Sequence, residues 1–196
     1  MRIFQRLHPK LQERYALPID KPFNGVGTMS KIETGAFWLK PFFKISNTLE
    51  ISFSRKREGC AVFRSKNTCR SLPTGEAEIY WERTFLFEEI TRHFNAFMTV
   101  DTKRRVVKDY LGEPSLFYSD LKFVVTPEGR INIRSGPQRI VIGNLEFPIL
   151  RLLEGVVTVE EGYDDAREVF TIQVDIRNRI VGRLMAYEGE FKVQTV

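Results

Sequence analysis

The sequence predicts a mainly β protein whose antiparallel sheet is strongly curved or closed into a β-barrel, with about ten to twelve strands. Three observations lead to this prediction. Apolar and polar residues alternate over many segments, which is the period of a half-buried strand. Turn residues recur about every 8 to 12 positions. Sixteen phenylalanines and six tyrosines favour a sheet over a bundle of helices.

The clearest strands lie between Val156 and Val193. In the segment from Glu168 to Ile176, every second side chain from Phe170 onwards is apolar, and the residues between them are polar. The apolar set, which should face the interior, is Phe170, Ile172, Val174 and Ile176. Turns on both sides of this segment predict three adjacent antiparallel strands, which need a partner surface for their apolar face.

The N-terminal part has a different pattern. Residues 3–16 are predicted to form a helix with Arg14 on its outer side, because four apolar residues fall on one stripe. These are Phe4, Leu7, Leu11 and Tyr15. A second, short and aromatic-rich helix is predicted from Phe37 to Ile45, and strands resume near Leu49. The expected organisation is a single domain over residues 1–196, with the β domain at 24–193.

The composition excludes several classes of protein. No apolar run is long enough for a spanning helix, and the N-terminus has no apolar export segment, so the expected location is the cytoplasm. Cys60 and Cys69 are then expected to be reduced thiols. No glycine-rich phosphate loop, metal-ligand spacing or catalytic triad is present, so we predict no cofactor, no metal and no catalytic residue. A dispersed set of catalytic residues stays open.

Charged residues form two notable groups. The net charge is +5, and one basic cluster contains Lys103, Arg104, Arg105 and Lys108. We interpret it as a solvated turn, with a surface for nucleic acid or anionic membrane as the alternative. The acidic group contains Glu160, Glu161, Asp164 and Asp165. It is interpreted as an ordinary hairpin tip, because its spacing is not that of a calcium loop.

Several short motifs resemble a known family when they are taken in their order along the chain. They are Trp81-Glu82-Arg83-Thr84-Phe85, Asp109-Tyr110-Leu111-Gly112, Arg134-Ser135-Gly136, Tyr163-Asp164-Asp165, Val181-Gly182 and Tyr187-Glu188-Gly189. The chain thereby resembles the bacterial domain-of-unknown-function family 4166 from about Leu7 to Val193. The resemblance implies a protein that stands alone or is fused to an NAD(P)-binding reductase-like or saccharopine-dehydrogenase-like domain. It implies no known activity and no catalytic residue.

The first functional hypothesis is a barrel that binds a hydrophobic small molecule in an aromatic-lined interior. Asp109 and Tyr110 are adjacent and must face opposite sides of one strand, and we favour an exposed Asp109. Arg83 shares a face with aromatic residues, and we expect it to stack on them with its head in water. The candidate ligand-binding residues are Trp81, Arg83, Phe85, Met98, Asp109, Tyr110, Phe123, Arg134 and Tyr187.

Two alternatives remain. The chain is an interaction module for a reductase-like partner, with the aromatic residues from Phe37 to Phe43 as the contact surface. Otherwise, the basic cluster binds nucleic acid or an anionic membrane.

Overall fold

A computed structural model describes residues 4–19, 21–34, 60–143 and 145–194. These residues form one short helix, one 3₁₀ turn and a sheet of 12 strands in which every pairing is antiparallel. The mainly β, antiparallel fold class is therefore confirmed. The strands are β1 (Phe23–Thr34), β2 (Ala61–Ser71), β3 (Ala77–Leu86), β4 (Thr91–His93), β5 (Ala96–Asp101), β6 (Val106–Leu111), β7 (Phe117–Val125), β8 (Ile131–Ile142), β9 (Leu145–Pro148), β10 (Gly155–Asp164), β11 (Val169–Asn178) and β12 (Gly182–Val193).

The sheet is closed into a barrel. Strand β10 pairs with β11 on one side and with β8 on the other, so the order β10-β11-β12-β1-β2-β3-β5-β6-β7-β8 returns to its start. Ten strands form the barrel, and the short strands β4 and β9 extend the edges of β3 and β8. The predicted helix from Phe37 to Ile45 and the strand near Leu49 lie outside the described residues.

The N-terminal helix is shorter than the predicted span of 3–16. Helix α1 runs over Pro9–Tyr15, and Phe4–Arg6 form a separate 3₁₀ turn. The break occurs at His8, which has extended dihedral angles and caps α1 by accepting a hydrogen bond from Lys10 N at 3.2 Å. Pro9 explains the break, because its ring disfavours a helical residue before it and it has no N–H group for the preceding turn.

The alternating residues of the C-terminal strands face the interior as predicted. Phe170, Ile172 and Val174 are buried, and Ile176 is partly buried against the same core. Aromatic rings pack around these residues in the interior: the rings of Phe170 and Phe191 are stacked with centroids 5.2 Å apart. The apolar face that three strands could not bury alone is therefore buried by closure of the barrel.

Helix α1 covers one end of the barrel. Leu7 and Leu11 are buried in the core, and the backbone N–H of His8 donates to the carbonyl oxygen of Gly129, in the β7–β8 turn, at 2.9 Å. The imidazole of His8 stacks on Tyr163 of β10 at 5.0 Å. No helix in the described part of the chain has the length and apolar character needed to cross a bilayer.

Two glycines allow β1 and β12 to approach closely. A Cβ atom at Gly27 would collide with the backbone of Glu190 and Phe191, and one at Gly189 would collide with the backbone of Thr28 and Met29. The β1–β12 pairing also contains a bulge between Met29 and Lys31. Such glycines and bulges mark the points where a sheet bends sharply to close.

We expect Gly27→Ala to reduce the free energy of unfolding by about 3 kcal/mol or more, because backbone atoms must move to admit the methyl group. Urea unfolding measures this change. Gly75→Ala is the control: Gly75 has a φ of +81° but open space around it, so strain alone should give a loss of about 1 kcal/mol. Equal losses for the two variants would show that close approach at Gly27 is unimportant.

Candidate functional site

The barrel encloses a cavity of about 60 Å³. This volume holds about four to six water-sized groups, at roughly 10–15 Å³ each. Most of its wall is apolar, with aromatic residues from β2 and the β4–β5 connection and aliphatic residues from β6, β7, β8 and β11. The apolar residues include Phe63, Phe94, Leu111, Leu121, Ile133 and Val174.

A buried ion pair lies at the end of the cavity that α1 covers. The guanidinium of Arg14 is within 3.4 Å of both carboxylate oxygens of Glu161, and the side chains are only 2% and 5% exposed. The hydroxyl of Tyr15 donates to the same carboxylate at 2.9 Å. The pKa of Tyr15 is raised well above its usual value, first by burial and then by the negative charge of Glu161. The carboxylate of Glu161 is therefore held by two residues of α1.

Arg14 also lies inside a cage of aromatic rings. Its guanidinium carbon is 4.6 Å from the ring centroid of Phe191 and 5.4 Å from that of Trp81. Cation–π attraction offsets part of the cost of removing this charge from water. The Nε atom of Arg14 is nevertheless buried without a hydrogen-bond partner.

Arg83 reaches the cavity from β3. Its Nε donates to the carbonyl oxygen of Phe94 at 2.8 Å, and its guanidinium carbon lies 4.4 Å from the Phe94 ring centroid. Its Nη2 atom is buried without a hydrogen-bond partner. The prediction that the guanidinium group of Arg83 is in contact with water is therefore wrong for Nη2. Stacking on an aromatic ring is confirmed.

Asp109 faces the cavity, contrary to the exposed position that we favoured. It is 6% exposed and its Oδ1 has no hydrogen-bond partner. Burial raises the pKa of Asp109 to about 6, although the positive charge of Arg83 acts in the opposite direction. The two side chains are not in ion-pair contact. A carboxyl group with this pKa exchanges a proton close to neutral pH.

Unpaired hydrogen-bonding groups are concentrated around this cavity. The indole Nε1 of Trp81 is buried and unpaired, as are the atoms of Arg14, Arg83 and Asp109 named above. The buried hydroxyl of Tyr187 lies near the guanidinium of Arg83 without a well-formed hydrogen bond. Buried polar groups normally have partners, and an unpaired one costs about 1–3 kcal/mol. The cavity is therefore the part of the described structure where a polar ligand group gains most.

The cavity brings together most of the predicted ligand-binding residues. Phe85 lies instead in the adjoining core, with its ring centroid 5.2 Å from that of Tyr187. Tyr110 faces outwards and donates to Glu146 at 3.3 Å. Arg134 is exposed on the outer face of β8. The candidates that line the cavity are Trp81, Arg83, Met98, Asp109, Phe123 and Tyr187.

Sequence reasoning missed Arg14 and Glu161. The sequence pattern predicts Arg14 on the outer side of the helix and Glu161 at a solvated hairpin tip, yet both side chains are buried. The positional signal was present in each case. Arg14 follows Leu11 by three residues and so lies on the apolar stripe, while Glu161 continues the inward alternation of Val157 and Val159.

The basic cluster is partly neutralised. Arg104 pairs with Asp120 and donates to the hydroxyl of Tyr118 at 3.2 Å, and Nζ of Lys108 lies 3.8 Å from Asp101. This pairing leaves less free charge for phosphate groups than the sequence suggests.

The fold and cavity define this chain as a ten-stranded antiparallel barrel protein with a buried, aromatic-lined and partly charged interior. It belongs to the family described as domain of unknown function (DUF4166), whose model matches residues 7–191. The resemblance seen in the short motifs is thereby confirmed. The chain is also similar to the uncharacterized protein YndH of Bacillus subtilis (strain 168), with 36% identity over 191 residues, which are 96% of this chain and 92% of YndH.

Arg14→Met should reduce the free energy of unfolding by about 3–5 kcal/mol, because it leaves the buried carboxylate of Glu161 without its cation. The double variant Arg14→Met/Glu161→Gln should recover much of this loss, since it removes both charges. Urea unfolding measures both changes.

The matched control is Lys10→Met on the same helix, where Lys10 pairs with Glu13 at 3.0 Å on the surface. Exposed pairs contribute at most about 1 kcal/mol. Equal losses from the Arg14 and Lys10 variants would show that the interior pair has no special role.

Proposed function

We propose that the barrel binds a small, mainly apolar molecule in its aromatic-lined interior. The observation that carries this proposal is the set of unpaired polar atoms around a cavity whose other walls are apolar. Ligand sites commonly combine these two features: apolar walls supply most of the contact area, and a few polar groups fix the orientation. A packed core without a binding role has little reason to retain them.

The cavity limits the size of the buried part of the ligand. Its volume of about 60 Å³ is well below the roughly 300–1,000 Å³ of sites for drug-sized molecules. The enclosed part of the ligand should therefore have about four to six non-hydrogen atoms. Met98 and Phe123 are only partly buried at the cavity wall, and the flexible methionine can adjust to a slightly larger molecule.

Native mass spectrometry of protein purified from its own host, followed by solvent extraction, tests this proposal. We expect the folded protein to carry a reproducible additional mass. Val157→Phe should abolish that mass, because it adds an aromatic ring to the cavity wall. Val156→Phe is the matched control, because successive residues of β10 face opposite sides of the sheet. A bare mass for the wild-type protein, or equal loss in both variants, would refute the proposal.

A second candidate function, docking to a protein partner, is favoured by an exposed apolar surface on the β8–β9 hairpin. Ile140 pairs with Phe147, and Ile142 pairs with Leu145, which places all four side chains on one face. Their exposed fractions lie between 41% and 63%. We call this surface the apolar hairpin face. Among the described residues, β9 also has one edge without a neighbouring strand. Apolar faces and free edges of this kind are typical docking sites.

Coexpression with a reductase-like protein from the same host tests this candidate. We expect the two proteins to elute together, and Leu145→Ser/Phe147→Ser to reduce the recovered complex at least tenfold. Val100→Ser/Val124→Ser is the control, since these valines are 53% and 61% exposed elsewhere on the barrel. Retention of the complex by the Leu145/Phe147 variant would exclude the apolar hairpin face as the contact.

A further inference from the structure

We infer that the ligand carries a carboxylate, that Arg83 binds this group, and that Asp109 takes up a proton when the carboxylate enters the barrel. This inference rests on the proposed function and names the chemical class of the ligand.

Hydrogen-bond donors exceed acceptors among the unpaired atoms. Arg14 Nε, Arg83 Nη2 and Trp81 Nε1 can only donate, and the hydroxyl of Tyr187 can donate as well. Among the described charged groups of the cavity wall, Oδ1 of Asp109 is the only unpaired acceptor. A ligand that satisfies this set must supply several acceptors. A carboxylate has about four acceptor positions on two oxygens, and it pairs especially well with guanidinium.

The charges of the cavity point to the same group. Arg14 and Glu161 neutralise each other in direct contact, whereas Arg83 and Asp109 are not in ion-pair contact. When Asp109 is protonated, the charged side chains that the structure describes around the cavity keep one net positive charge, which a carboxylate neutralises. When Asp109 is ionised, the same carboxylate would leave one negative charge uncompensated in a buried site, which is strongly unfavourable. Binding of the carboxylate is therefore coupled to uptake of one proton from solvent by Asp109.

The surroundings of Asp109 support proton uptake in an accessible pH range. Besides Asp109 itself, the charged or titratable side chains among the described lining residues come from four elements. They are Arg83 (β3), Arg14 and Tyr15 (α1), Glu161 (β10) and Tyr187 (β12). The positive charge of Arg83 acts directly on the pKa of Asp109. Burial raises the pKa of Asp109 to about 6, and a second carboxylate beside it raises this pKa further. Proton uptake is then favourable near neutral pH.

The size of the cavity selects the probe. Butyrate has six non-hydrogen atoms, and butyramide has the same shape without the charge, so the two form a matched pair for isothermal titration calorimetry. We expect butyrate to bind the wild-type protein at least tenfold more tightly than butyramide at pH 6. Its affinity should fall by a factor on the order of fifty between pH 6 and pH 8, as the protonated fraction of Asp109 decreases. The affinity of butyramide should change little.

Two variants separate the contributions of the residues. Asp109→Asn mimics the protonated carboxyl group, so its affinity for butyrate should be equal at pH 6 and pH 8. Arg83→Met should remove the preference for butyrate over butyramide, with retained binding of butyramide showing that the barrel is folded. Arg134→Met is the control, because this arginine lies on the outer face of β8.

The outcomes distinguish this inference from the function on which it rests. Equal binding of butyrate and butyramide to the wild-type protein overturns the carboxylate and leaves the proposed function intact. If the affinity of Asp109→Asn for butyrate still falls fifty-fold between pH 6 and pH 8, the role of Asp109 is overturned. This outcome does not depend on whether the Arg83 variant folds. No binding of either probe, together with a bare mass for protein from its own host, overturns the proposed function itself.

Discussion

The pairing of β10 with β8 is the contact on which the other features of the molecule depend. The paired residues run from Thr158 opposite Arg134 to Glu161 opposite Ile131. This pairing converts a sheet with two edges into a barrel with an interior. Without it, the inward side chains of β10 and β11 would face solvent. The cavity, the buried ion pair and the unpaired polar atoms all exist because this register encloses them.

Arg14 and Arg83, the arginines that line the described part of the cavity wall, have different roles. Arg14 is compensated by Glu161 and by aromatic rings, and it joins α1 to the barrel wall. A buried pair of this kind contributes little net stability, but it strongly disfavours any arrangement that separates its partners. Arg83 and Asp109 have no such mutual contact, so their unpaired atoms are free to bind another molecule. The ion pair of Arg14 and Glu161 and the candidate binding residues Arg83 and Asp109 thus line the same cavity.

The strands could be predicted from the sequence because their alternation is local, as the run from Phe170 to Ile176 shows. The sequence predicted either a strongly curved sheet or a closed barrel. It could not decide between them, since closure depends on the register of β8 and β10, which are separated along the chain. The orientation of Asp109 was also beyond a local pattern, because alternation defines two faces without saying which is interior. Arg14 was misplaced for a different reason: charged residues are rarely fully buried, and the prediction followed that tendency instead of the helical spacing.

The pairing of β1 with β12 also has a consequence for synthesis on the ribosome. Phe191 of β12 lies opposite Gly27 of β1, so one edge of β1 is covered only after β12, far along the chain, has been synthesised. Arg14 likewise meets Glu161 across 147 positions of the chain. Because translation proceeds at about 5–20 residues per second, β1 keeps one free edge for many seconds in the nascent chain. A cell that makes this protein must keep that edge from pairing with other chains until β12 has left the ribosome.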